Sequence, residues 1–132
     1  MSIFNSFRQH LYRFYTTKER DEAMSVQPAL NSRVFQLMRR FGGKSESIQP
    51  VEFFFYSDEE DKANNLAIEL SRMGYEVYGV YQPEHGDTQW SVIGCTPPIK
   101  LRGKQFDDWT KEMAQKGFES DCKFDGWGTL IE

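Results

Sequence analysis

The residues able to do chemistry are few and scattered. His10 and His85 are the only histidines of the 132-residue chain, the first on a stretch patterned as a helix and the second in a loop beside Glu84 and Asp87. "EHGD" has the composition of a hairpin turn, in which short polar residues and glycine satisfy local backbone groups, and not the spacing of a metal site. Carboxylates are abundant but come as chain neighbours, Glu59 with Glu60 and Asp107 with Asp108, and adjacent residues on a helix diverge instead of converging as an acid–base pair. Ser57 followed by Glu60 has the spacing of a capping box, and Asp58, Glu59, Glu60 and Asp61 complement the positive end of the helix that follows. Cys95 and Cys122, far from any C-x-x-C spacing, read as buried reduced thiols. There is no Gly-rich phosphate loop after a strand, no G-x-S-x-G, and no nucleophile with a base beside it. The pattern is that of a protein that is not an enzyme and uses no cofactor and no metal.

Aromatic residues, 15% of the chain, carry the more pointed signal. Trp127 stands between Gly126 and Gly128 in a run otherwise patterned as a strand, and glycines there mark a bulge or a close approach to the backbone. "VEFFFYS" reads as a central strand, with Val51, Phe53 and Phe55 on one face and Glu52, Phe54 and Tyr56 on the other. Tyr78 or Tyr81, Trp90 and Trp127 are candidates to join that second face. Charge is divided: residues 1–50 hold eight Lys/Arg against four Asp/Glu, and residues 51–132 eight against sixteen, so an N-terminal part of about +4 precedes one of about −8. An acidic domain argues against direct nucleic-acid binding, which clustered Lys and Arg drive, and suits a basic protein surface.

These residues need elements to hold them. Phe4, Phe7, Leu11 and Phe14 or Tyr15 recur at helical spacing among Arg8, Arg13, Lys18 and Arg20, which predicts a basic amphipathic arm over residues 1–27. A second helix is predicted after Pro28, with Leu30, Val34, Leu37, Met38 and Phe41 inward and Gly42 and Gly43 as its stop. Then follow strand, helix (Ala63, Leu66, Ala67 and Leu70 inward, ending near Gly74), strand, strand, helix (Phe106, Trp109 and Met113 inward) and strand. The fold class is therefore α+β: a ferredoxin-like split βαβ (βαββαβ) with a four-stranded antiparallel sheet, starting from about residue 50 within a domain of residues 28–132 and preceded by one or two N-terminal helices. Both core helices would cover one sheet face. The other, rich in aromatics, requires a lid, for which the chain's own first fifty residues, a second copy or a different protein are available. No apolar run approaches the length of a membrane span and no secretory signal is evident, so the expected location is the cytoplasm.

The string "FDGWGT", with "PVEFFFYSDEEDKANNLAIELSRMGYEV" and the Trp-centred strand "TQWSV", resembles the RraB family, known as regulators of ribonuclease E, over roughly residues 50–132. The sharpest element of the likeness is Asp125, Gly126, Trp127, Gly128 and Thr129. The resemblance implies a cytoplasmic, non-enzymatic, acidic protein of ferredoxin-like fold that binds a ribonuclease through a basic segment and modulates it. The candidate partner-binding or motif residues are then Asp125, Gly126, Trp127, Gly128, Thr129, Trp90, Phe54 and Tyr56. For Trp127 a packing role competes with direct partner contact. Two alternatives of other classes are a homo-oligomeric (homodimeric) or small-molecule-binding domain whose aromatic face pairs with itself or encloses a ligand, and an enzyme of this fold with an unfamiliar site.

Overall fold

The computed structural model of the chain describes residues 13–40, 48–82 and 89–129. Helix α1 (Thr17–Arg40) leads into a short strand β1 (Ile48–Gln49), then β2 (Val51–Ser57), α2 (Glu60–Arg72), β3 (Glu76–Tyr81), β4 (Trp90–Cys95), β5 (Ile99–Lys100), α3 (Lys104–Glu119) and β6 (Lys123–Thr129). The strands form an antiparallel four-stranded sheet of order β3-β4-β2-β6 and a separate two-stranded ribbon of β1 with β5, which the sequence pattern does not announce. The protein is α+β, with three helices and antiparallel sheets among the described residues. No helix among the described residues is long and apolar enough to cross a membrane.

The core follows from alternation. Val51, Phe53 and Phe55 of β2 are fully buried on one face and meet Leu66 and Leu70 of α2, Phe106 and Met113 of α3, and Val92 of β4. The helix stripes that provide this burial are those the sequence predicts for α2 and α3.

The N-terminal part departs from expectation. One helix runs through Pro28, crossing the point where the sequence pattern separates arm from domain, although proline forfeits a backbone hydrogen bond in a helix interior. It begins at Thr17, where Thr16 and Glu19 form a reciprocal capping box: the Glu19 N–H donates to Thr16 Oγ1 at 3.2 Å and the Thr16 N–H to Glu19 Oε1 at 3.3 Å. The inward face of α1 holds buried Gln27 and Asn31 with Phe35 and Met38, while Leu30 and Leu37, expected inward, are exposed. Of the first fifty residues, which are expected to cover the open face, α1 packs on α3 on the helical side, and Phe14 reaches Tyr56 on the open face; the rest of that expectation, for residues 1–12 and 41–47, lies outside the described residues. The expectations for the helical stripe of Phe4, Phe7 and Leu11 with Arg8, for His10, Phe41 and His85, and for the glycine stop at residues 42–43 lie outside the described residues.

Ser57 does not cap α2. It is buried at the end of β2, where its hydroxyl donates to the Asp121 carbonyl at 3.0 Å, so it is not free to serve the helix; the N-cap residue is Glu59, without a side-chain cap bond. Asp58 and Glu59 instead contact Lys62 Nζ at 2.9 and 3.4 Å.

Candidate protein-binding face

Three rows of residues run across the sheet on the side away from α2 and α3. Strand register sets Gly128, Glu52, Cys95 and Glu76 in the first, Gly126, Phe54, Ile93 and Gly79 in the second, and Lys123, Tyr56, Ser91 and Tyr81 in the third. Each row exists because successive residues of a strand face opposite ways. Phe54 and Ile93 thus form an apolar centre between two glycines. A Cβ on Gly79 would lie 2.8 Å from the Tyr81 ring, so glycine there gives Tyr81 room to fold back, its hydroxyl donating to the Tyr78 carbonyl at 3.2 Å.

The first row is acidic. Glu52 and Glu76 flank Cys95, and Tyr78, the extra residue of a bulge between Val77 and Gly79, stands over them. Its phenol is pushed up to about 12 by the hydrogen bond with Cys95, followed by desolvation and the charges of Glu52 and Glu76. Among the described residues the lid consists of Phe14, whose ring meets Tyr56 edge-on at 5.7 Å, with Lys123 Nζ 4.4 Å above the Phe14 ring. Tyr78 and Tyr81 remain 43% and 48% exposed.

Trp127 and Trp90 belong to the opposite face. Trp127 pairs with Phe53 and Trp90 with Ser57, both on the helical side, so neither joins the open face for which the sequence made them candidates. Trp90 follows from plain alternation opposite Ser57; for Trp127 the reason is a bulge in β6 between the partners of Phe54 and Phe55: Asp125 is inserted, exposed, and Gly126 takes φ 120°, a conformation only glycine adopts easily. Phe124 and Trp127 then face the same way although three residues apart. Thr129 pairs with Val51 and shares its parity.

Trp127 fastens α1. Its ring lies 5.6 Å from Phe35 and 4.8 Å from Phe106, and its Nε1–H donates to Asn31 Oδ1 at 2.8 Å. Fully buried Asn31 also accepts from Gln27 Nε2 at 3.1 Å and donates to Asp107 Oδ1 at 2.9 Å and Thr110 Oγ1 at 3.0 Å, so all four hydrogen-bonding positions of its amide are used.

A second buried network closes the N-terminal segment over the α3–β6 turn. Asp121, in left-handed conformation (φ 57°), accepts the backbone N–H groups of Phe14 at 2.9 Å and Tyr15 at 2.7 Å and pairs with Lys62 Nζ at 2.7 Å. Arg13 donates to the Phe118 carbonyl and lies over the Phe118 ring at 3.9 Å. Burial works to lower the Lys62 pKa, but hydrogen bonds from its ammonium to Asp121 and Asp58 prevail and hold it above the ordinary value. The polar cleft beside this network, about 390 Å³, is lined by Arg13, Lys62, Arg72, Glu69 and Glu119; its Lys62 and Arg72 are already paired, with Asp121 and Glu69. Among the described residues no group of three or more His, Cys, Asp or Glu side chains is placed to hold a metal ion.

These surroundings give stability a sign with pH. Burial pushes the Cys122 thiol from 9.0 to about 12 and raises the Tyr15 and Tyr75 phenols, so the folded state holds these protons more tightly than the unfolded chain. Lys62, also raised, contributes stability below its unfolded value that is lost as pH rises through its folded one. All four act in one direction: the denaturant midpoint is expected to stay level up to about pH 9 and then fall. At pH 8 Cys122 should react with iodoacetamide only as fast as the domain opens. A midpoint that rises between pH 9 and 11 contradicts this assignment.

The profile of the family described as "Regulator of ribonuclease activity B" matches residues 29–129. A protein of that name from Idiomarina loihiensis is 28% identical over 93 residues, 69% of this chain and 72% of its own length. Those from Photobacterium profundum and Shewanella denitrificans are each 25% identical, over 95 residues (69% and 70% of the two chains) and 114 residues (84% and 87%). The matched span takes in the rest of α1 from residue 29, both core helices, every strand and the Trp127 anchor, and so the chain belongs to the regulator of ribonuclease activity B family.

Proposed function

We propose that the protein is a non-enzymatic regulator that binds a ribonuclease, of the ribonuclease E kind, and lowers its activity by contact through the open sheet face. The single observation that carries this reading is the company of Glu52 and Glu76 with Phe54, Tyr78 and Tyr81 on one face that no helix among the described residues covers. Carboxylates beside aromatic rings suit arginine, whose guanidinium pairs with the former and stacks on the latter. A basic segment of the ribonuclease is the partner of matching chemistry, and nucleic acid, itself an anion, is not. The relatives' name supports the regulatory role. Strand order β3-β4-β2-β6, with α2 and α3 each following a strand of the central pair or its hairpin, supports a ferredoxin-like arrangement, and a cytoplasmic location agrees with an RNA-processing partner.

The test is calorimetric titration of the full chain with the arginine-rich segment of a ribonuclease E-like enzyme from the same cell. Affinity should fall as salt rises, and Glu52→Lys with Glu76→Lys should weaken binding by about 100-fold while leaving the thermal midpoint within a degree or two. Binding unaffected by the double reversal sinks the assignment of this face. Inhibition that requires no binding to the enzyme sinks the mechanism.

A further inference from the structure

The outward face of α1 is apolar where a solvated helix would be polar. Val26, Leu30 and Leu37 are 50%, 50% and 45% exposed, and half-buried Val34 borders them. With Ala23, Arg33 and Arg40 they recur at alternating steps of three and four residues, the spacing of a seam between two packed helices. The charges along this seam are sorted by end. Glu22 lies toward its start and Arg33 and Arg40 toward its close, and none of the three is in an ion pair among the described residues.

We propose that two copies of this chain associate through α1, the two helices antiparallel about an axis near Asn31 and Ser32. That arrangement sets Val26 against Leu37 of the second copy, covers Leu30 with the aliphatic stem of Arg33, and brings Glu22 to Arg40 at both ends. Parallel pairing would set Arg33 and Arg40 against their own copies, and the antiparallel one also aligns opposite helix dipoles. The charge order along α1 therefore selects a second copy of itself as occupant. Because α1 lies on the helical side of the sheet, the open face stays accessible in the pair, and the two properties are independent.

Sedimentation of the full chain across a concentration series reads the association directly. The unsubstituted chain is expected to pass from monomer to dimer, and Leu30→Glu, at an exposed position that does not disturb folding, to remain monomeric with an unchanged circular-dichroism spectrum. Glu22→Arg alone and Arg40→Glu alone should each raise the dissociation constant ~tenfold, and the two together in one chain should restore it, as only antiparallel ends can. A monomer at every concentration overturns the proposal and leaves the stripe to residues 1–12 or to another protein. A dimer that survives Leu30→Glu, or a double reversal no better than the singles, overturns it equally.

Discussion

Replacing Asp121 with alanine is expected to cost about 4–5 kcal/mol, the largest loss any single substitution in this chain should cause. The carboxylate takes two backbone N–H groups and the Lys62 ammonium at once, and all are buried or partly so. Without it Lys62 keeps Asp58 and Glu59 but loses its nearest, buried counter-charge, and Phe14 and Tyr15 lose the acceptors that hold their segment against the turn. The position also requires a left-handed backbone, which aspartate and asparagine tolerate better than alanine. Asp121→Asn should therefore cost roughly half as much, since it keeps the conformation and one acceptor oxygen but not the charge. Urea unfolding of the three proteins measures the series, and an alanine variant within 1 kcal/mol of the unsubstituted chain would show the network to be dispensable.

Trp127→Ala comes next, at about 3–5 kcal/mol. The substitution leaves a cavity between Phe35 and Phe106 and removes a donor from buried Asn31, so it loosens α1 as well as the core. Trp127→Phe separates the two effects, because it keeps most of the ring volume and deletes only the N–H, for about 1–2 kcal/mol. An unchanged denaturant midpoint in the alanine variant contradicts the packing role and returns Trp127 to the list of direct contacts.

The difference between what the chain's pattern discloses and what it conceals has physical causes. β2 is legible because four buried residues alternate with three half-exposed ones, and α3 because Phe106, Trp109 and Met113 keep helical spacing. α1 is misread by a rotation of about one residue: apolarity points to Leu30 and Leu37, but the inward residue is Asn31, whose burial makes sense only once the Trp127 N–H, 96 residues away, is known to need an acceptor. Ser57 misleads similarly, since its hydroxyl is engaged 64 residues away by the Asp121 carbonyl. The Thr16–Glu19 box was there to be read as the true start of the helix. For the site, Phe54 and Tyr56 are placed correctly by alternation alone, whereas Trp127 depends on the Asp125 bulge, which shifts parity by one and leaves no unambiguous mark in composition.

That bulge makes β6 a divider. The ring of Trp127 works on the side where the helices are, while Gly126 and Gly128 floor the opposite side next to Phe54, and a methyl group added at Gly128 would meet Phe54 at an ordinary 3.8 Å. Lesions at adjacent letters of one short motif should accordingly fall into different complementation classes: those at Trp127 deplete the protein from cells, and those at Gly128 leave its abundance intact and blunt only the partner contact proposed for the open face.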